Sequence, residues 1–258
     1  MDITSLQNPR IKQLVKLRER RARDEEGLML VEGVYEIEIA LQSGLVPQTI
    51  YTSPEVAGER NLIFSNAECV TVSPKVFAKI SYRDNPDGWL AVFPIPQRRL
   101  EELTLPPFPF VVVAEAVEKP GNLGAILRTA DAAGVNALLV CDPRVDLYNP
   151  NVVRASRGTV FALPVVQISN PQALEWLRKN DIKIMAATPG ATKVFSDLDL
   201  RGSTAIAVGT EDEGLSDFWL SHADEKVMIP MKGKVNSLNV AASVAIIAYE
   251  IVRQRSTR

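Results

Sequence analysis

Apolar positions along the chain change their period several times. Ile11, Leu14, Val15 and Leu17 fall at helical spacing, which predicts an amphipathic helix near the N-terminus. LMLVEG reads as a strand, VYEIEIALQSG as a helix ended by Gly44, and PQTIYTS and ECVTVS as further strands. A helix from Pro74 through Ile80 and a strand at GWLAVF complete a small α/β unit. The stretch FPIPQRRLEELTLPPFPF then carries five prolines, Pro94, Pro96, Pro106, Pro107 and Pro109. Proline fixes φ and removes an amide donor, so this segment reads as a stiff linker. The expected organisation is an N-terminal domain over 1–97, a linker over 98–108 and a second domain over 109–258.

In the second half the alternation is stronger. FVVVAEAV, NALLV, ALPVV, DIKIMAAT, TAIAVG and EKVMIP read as strands. Helices are predicted from Gly121 to Ala133, over Val152 to Ser156, from Pro171 to Lys179, from Leu215 to Ser221, and from Ser237 to Arg255. Strands that are apolar throughout and separated by helices imply an α/β fold with a parallel sheet covered on both faces. In such sheets ligands bind in the loops beyond the carboxyl ends of the strands.

The 258 residues contain 46% hydrophobic and 23% charged positions, enough apolar material for a real core. The net charge of −2 excludes a uniformly basic coat. The basic residues instead concentrate locally: Arg10, Lys12, Lys16, Arg18, Arg20, Arg21 and Arg23 face only Asp2 and Glu19 among the first 23 positions. That helix face is either solvated or in contact with phosphates. No apolar run approaches the roughly 20 residues that span a bilayer, and the N-terminal residues lack the apolar core of a secretory signal. Cys69 and Cys141 have no CxxC spacing, which argues against a disulfide scaffold or a zinc site and fits a reducing cytoplasm. With His222 as the only histidine and no GxSxG elbow, the sequence argues against histidine-based hydrolytic triads, and His222 reads as a surface or helix-end residue. Dinucleotide and P-loop glycine motifs are also missing.

Three loops hold the candidate chemistry. EKPGNLGAILRTADAAG follows a strand and opens a helix. Asn122 there is a candidate helix cap, and Arg128 is either a solvated residue, a partner of Asp131, or a ligand contact. VGTEDEGLS brackets Glu211, Asp212 and Glu213 between Gly209 and Gly214. Three acids disfavour phosphate and suit a cationic or polyhydroxyl ligand, or else they complement a helix N-terminus. In IPMKGKVNSLNVAASVAIIAYEIVRQR, Asn236 or Ser237 can cap the long helix, Asn239 lies in its first turn, and Val240, Val244, Ile247 and Ile251 form its apolar stripe. Gly209 also has a reading of its own, since a side chain there would block close approach of another group.

Together, NLGAILRTA, GTEDEGL and IPMKGKVNSLNVAASVA resemble the three motifs of the SpoU (TrmH) family of RNA ribose 2′-O-methyltransferases, within the SPOUT superfamily. RASRGTVFALPV is similar to the family's intervening segment, and LVEGVYEIEIAL to its ribosomal-protein-like substrate-binding domain.

The resemblance implies a deep trefoil knot in the C-terminal sheet and S-adenosylmethionine as cofactor. Thr188, Gly209, Ile229 and Leu238 are the positions that would contact it. It further implies that Arg128 activates or positions the ribose, that Asn122, Ser237 and Asn239 orient the site, and that Glu211 holds adjacent groups. Arg144, Arg154 and Arg157 are candidate RNA contacts; surface ion pairing is the alternative for each. The implied partners are RNA, ribosomal rather than transfer RNA, and a second copy of the chain; no metal and no membrane are implied. A non-catalytic RNA-binding or ribosome-assembly protein that retains the fold, or a transfer RNA 2′-O-methyltransferase, is the alternative. Thr210 and Ala241 stand where many members of the family have asparagine and serine.

Overall fold

The computed structural model describes residues 2–59, 62–64 and 67–256. In chain order it contains β1 (Asp2–Ile3), α1 (Pro9–Lys16), α2 (Arg20–Glu26), β2 (Leu28–Glu32), α3 (Val34–Gln42), β3 (Thr49–Thr52) and α4 (Pro54–Ala57). Next come β4 (Glu68–Val72), α5 (Pro74–Ile80), β5 (Trp89–Pro94), β6 (Phe110–Glu115), α6 (Pro120–Ala132) and β7 (Ala137–Cys141). Then follow α7 (Pro150–Ser156), α8 (Thr159–Ala162), β8 (Val165–Ile168), α9 (Asn170–Lys179), β9 (Lys183–Ala187) and β10 (Lys193–Val194). The chain closes with β11 (Thr204–Val208), α10 (Asp217–His222), β12 (Glu225–Met228) and α11 (Val240–Ser256).

Two compact units result. The first unites the described residues up to Gln97 with Asp146–Ala162. Its mixed sheet has the order β1-β4-β3-β5-β2, with β5 antiparallel to both neighbours. The basic N-terminal segment forms two helices rather than one. Arg23, only 1% exposed, explains the break: its guanidinium donates to Leu17 O (2.8 Å) and Arg18 O (2.6 Å), carbonyls freed where α1 stops. The same group pairs with Asp146, with Nε at 3.0 Å from Oδ2. Arg10 pairs with Glu68, and Arg18 donates to Lys79 O, so part of the expected basic face is structural. The Arg23–Asp146 pair, with α7 packed on β2 and α8 on α3, ties 146–162 to the first unit, although in sequence it lies inside the second half.

The second unit comprises Arg98–Val145 and Leu163–Arg258. Its described strands form a seven-stranded, wholly parallel sheet in the order β10-β12-β9-β11-β6-β7-β8. All six residues of β6 are buried, as a parallel strand covered on both faces requires. One face packs Val111, Leu139, Ala205 and Ala207 against Leu177 and Trp219 of α9 and α10. The α6–α11 pair, with Ile126, Leu127, Val244 and Ile247 buried, belongs to the same unit. The proline-rich stretch is more than a spacer, because Leu100 is buried and Leu103 and Leu105 pack on the first of these clusters. Both cysteines are free. No helix among the described residues is long and apolar enough to cross a membrane.

Candidate active site at the carboxyl edge of the parallel sheet

β12, β9 and β11 are neighbours in the sheet and parallel, so their carboxyl ends lie side by side. The chain leaves them at Ile229, Thr188 and Gly209. These residues, with Leu238, line one cleft of about 260 Å³. Val208, Leu215, Val227 and Val240 add apolar wall, while Glu211, Asp212 and Glu213 add negative charge. All four expected cofactor positions therefore share a cavity. Apolar walls with carboxylates on the rim suit a ligand that carries both a flat apolar part and a cationic centre.

Gly209 has a different reason from the one its sequence context suggests. A Cβ there would lie 1.9 Å from Gly214 O and 2.4 Å from Leu215 N. The glycine makes room for the chain's own turn. That turn is closed by Thr210 N donating to Gly214 O (3.0 Å) and Gly214 N to Thr210 O (3.1 Å). Thr210 Oγ1 accepts from Glu213 N at 3.0 Å, so a threonine hydroxyl fastens this loop.

A polar cluster forms where β6 feeds α6 beside this turn. Asn239 Nδ2 donates to Asn122 Oδ1 (3.1 Å) and to Glu211 Oε1. Lys119 Nζ donates to Glu211 Oε2 at 2.5 Å. The lysine contact chiefly holds the Glu211 carboxyl below its usual range, with the two asparagines adding to the effect, and Glu211 in turn raises Lys119. Since both shifts favour the charged forms, the pair stays ionised from mildly acidic to alkaline pH. Lys119 was not singled out in the sequence, and with Glu211 lying 92 positions away no local signal marked it.

Asn239 has a second task. α11 starts at Val240, three residues later than the periodicity predicts, and Asn239 rather than Asn236 or Ser237 caps it. Its Oδ1 accepts from Ala241 N (3.0 Å) and Ala242 N (3.4 Å). With the oxygen spent on the helix, the amide nitrogen is turned towards Glu211. Asn239→Asp keeps the cap but replaces the donor by an anion facing an anion. Its melting temperature is expected to stay near wild type while catalytic turnover falls at least about ten-fold; equal losses of both would show that the residue is only a cap.

Ser237 lines the cleft and is exposed. Asn122 sits at the third position of α6 and does not cap it, because Pro120 opens that helix after Lys119. Arg128 is exposed, makes no hydrogen bond or ion pair among the described residues, and has no pairing with Asp131. At about 100° per residue it lies about 120° around α6 from Asn122, and no hydrogen bond joins it to the cluster. Arg144 is ion-paired with Glu118, which raises its pKa, and approaches Glu213 at 3.8 Å. Arg154 and Arg157 belong to the first unit. His222 is exposed at the end of α10, its Nδ1 2.8 Å from Phe218 O.

A buried network beneath the second loop went unread in the sequence. Glu115, 4% exposed, accepts from Ser216 N (2.8 Å), Ser216 Oγ (2.6 Å) and Asn170 Nδ2 (2.7 Å). Asn170 Nδ2 also donates to Asp142 Oδ2 (2.7 Å), and its Oδ1 accepts from Trp219 Nε1 (2.7 Å). This ties the residue after the acidic turn to the end of β6. A charge in the otherwise apolar run FVVVAE was the available signal.

With that geometry in place, comparison with known proteins is decisive. The SpoU rRNA Methylase family matches residues 109–249, more than half of the chain. The chain belongs to that family. Residues 8–91 of this SpoU member match the MRM3-like substrate binding domain. A solved RNA 2′-O ribose methyltransferase is 42% identical, covers 99% of this chain and 100% of its own, and superposes with a TM-score of 0.86. The SpoU methyltransferase AviRb from Streptomyces viridochromogenes, solved with the cofactor AdoMet, is 29% identical over 97% of this chain and 99% of that one, with a TM-score of 0.87. The 23S rRNA (guanosine(2553)-2′-O)-methyltransferase RlmP of Bacillus subtilis is 28% identical, covering 96% of this chain and 98% of its own.

Proposed function

We infer that this chain transfers a methyl group from S-adenosylmethionine to a ribose 2′-hydroxyl of ribosomal RNA. The observation that carries this reading is the cleft at the ends of β9, β11 and β12, with the Lys119–Glu211–Asn239–Asn122 cluster beside it. Thr188, Gly209, Ile229 and Leu238 would hold the cofactor, their apolar and backbone groups suiting its adenosyl part. When bound, S-adenosylmethionine supplies a methyl carbon activated by a sulfonium. The acidic turn favours positive charge at the cleft, and Lys119 keeps Glu211 ionised for that purpose. Asn122, Ser237 and Asn239 orient the acceptor nucleotide.

Arg128 is assigned the ribose and its neighbouring phosphate. A guanidinium offers donors only and no acceptor, which makes it unsuited to take a proton as a free base. It acts instead as a fixed fork that aligns the attacking oxygen, and such alignment supplies on the order of 7–11 kcal/mol in favourable systems. Arg144 and Arg154 are assigned to RNA phosphates and Arg157 to RNA contact, and a ribosomal RNA substrate fits a cytoplasmic reaction.

Two features complete the proposal. β12 pairs with β9, and the next element, α11, packs on α6; the connection between them is assigned the threading of a trefoil knot. Pulling on both termini should then leave a contour shorter than that of a free chain; full extension refutes the knot. Ile246 and Tyr249 are exposed three residues apart on α11, an apolar face suited to a second copy of this chain. A homodimer built there would also let Arg128, which bonds to no member of its own cluster, serve the partner's site. Sedimentation giving a monomer mass at micromolar concentration removes that element.

The test of function is calorimetric titration with S-adenosylmethionine, followed by transfer of labelled methyl to deproteinised ribosomal RNA and mapping of the nucleotide. Binding with label fixed on a ribose is expected. No affinity at millimolar cofactor would leave a non-catalytic RNA-binding protein.

A further inference from the structure

A cavity of about 730 Å³ in the first unit, lined in part by Arg154 and Arg157, lies outside the methyl-transfer cleft. Its walls are the first turn of α3, the loop after α5 and the end of α7. Tyr35 is 49% exposed there, and the Arg157 guanidinium lies over its ring, 4.6 Å from the centroid. Exposed aromatic surface roofed by arginine is a flat, cationic platform.

The backbone is distorted to build it. Arg157 has φ +53°, a left-handed conformation in which glycine is the usual residue after a helix. Gly158, also left-handed, takes the next position because an added Cβ would lie 3.2 Å from Glu36 Cα and Ile39 Cβ of α3. The chain is thus pressed against α3 at 158 and held in an unfavourable conformation at 157, where an arginine stands. Residues held in such conformations cluster at functional sites.

The charges around the platform differ in availability. Arg83 is committed, to Glu36 Oε2 at 3.0 Å and Glu32 O at 2.5 Å. Arg154 is exposed and makes no hydrogen bond or ion pair among the described residues. Glu38 and Asp84 contribute carboxylates to the same cavity.

We propose that this cavity binds one unstacked nucleotide of single-stranded RNA. Its base stacks on the Tyr35–Arg157 platform, its phosphate meets Arg154, and its exocyclic amine donates to Glu38 or Asp84. Stacking on tyrosine and guanidinium planes is how unpaired bases are held. Carboxylates beside a phosphate site favour a base that brings amine donors, so adenine, guanine and cytosine are preferred to uracil. The proposal rests on the reading of the chain as an RNA methyltransferase, and gives the first unit its part in choosing the substrate.

The probe is a single-stranded oligoribonucleotide with one 2-aminopurine, added to the full chain. Wild type should quench the fluorophore and bind it more tightly than an all-uracil oligonucleotide. Tyr35→Ala and Arg157→Lys should each weaken binding roughly ten-fold and abolish the quench, with melting temperature and S-adenosylmethionine affinity unchanged. Lysine retains the charge but not the plane, so wild-type quenching by Arg157→Lys overturns the platform, as does affinity within two-fold of wild type for Tyr35→Ala. Methylation of ribosomal RNA by the wild type is read in parallel. If it methylates while both variants bind normally, only the platform fails. If the variants lose the probe but wild type neither binds S-adenosylmethionine nor methylates, the platform stands and the enzymatic reading fails.

Discussion

Gly209→Ala is expected to abolish S-adenosylmethionine binding and to lower the melting temperature. The added methyl would sit 1.9 Å from Gly214 O and 2.1 Å from Gly214 C. These are backbone atoms, so no flexible side chain can swing away. Relief requires Gly214 to retreat, which breaks the paired Thr210–Gly214 hydrogen bonds and moves Glu211 away from Lys119 and Asn239. Overpacking of this kind costs typically about 1–3 kcal/mol, and here it falls on the loop that forms one wall of the cleft. Calorimetric titration and thermal melting of the same sample read both effects. An alanine variant with wild-type affinity and melting temperature would show that the turn is soft, and that the close approach at 209 is not a requirement.

Arg128→Ala should leave both cofactor affinity and stability where they are and remove turnover. The residue is exposed and bonded to nothing among the described residues, so truncation costs the fold little, within about 0.5 kcal/mol. Its assigned contacts form only with the substrate. Single-turnover methylation of ribosomal RNA is expected to fall at least about 100-fold. Arg128→Lys should recover only part of this, since an ammonium cannot present two parallel donors to a sugar and a phosphate. Wild-type turnover by the alanine variant removes Arg128 from the site.

Much of the framework was legible because burial on both faces leaves a plain signal. FVVVAE, TAIAV and ALLVC could be placed as parallel strands from composition alone, and their carboxyl-end loops followed as the place to search. Where the reading slipped, a distant partner had decided the outcome. One N-terminal helix became two because Arg23 turns inward to Asp146, 123 residues away. That contact and the packing of α7 on β2 and α8 on α3 drew 146–162 into the first unit. β1 and β10 have two residues each, too few to show a period. α11 starts late because Asn239 outcompetes Asn236 and Ser237, a choice fixed by Glu211 and Asn122 across the site. Cofactor positions such as Ile229 and Leu238 are ordinary apolar residues by type. Only the resemblance to a family of methyltransferases singled them out, and the cleft then brought them together. The Glu115 network could have been suspected from one acid in an apolar strand, but its partners Asn170, Ser216 and Trp219 lie 55 to 104 positions further on.

The two-sided use of Asn239 ties local breathing to chemistry. One carboxamide holds the amides of Ala241 and Ala242 with its oxygen and Glu211 with its nitrogen. The opening turn of a seventeen-residue helix cannot fray without loosening the acid beside it. Deuterium uptake at those two amides should therefore serve as a clock for the pocket, slowing when it is filled and quickening when Glu211 is removed, although neither amide touches the ligand.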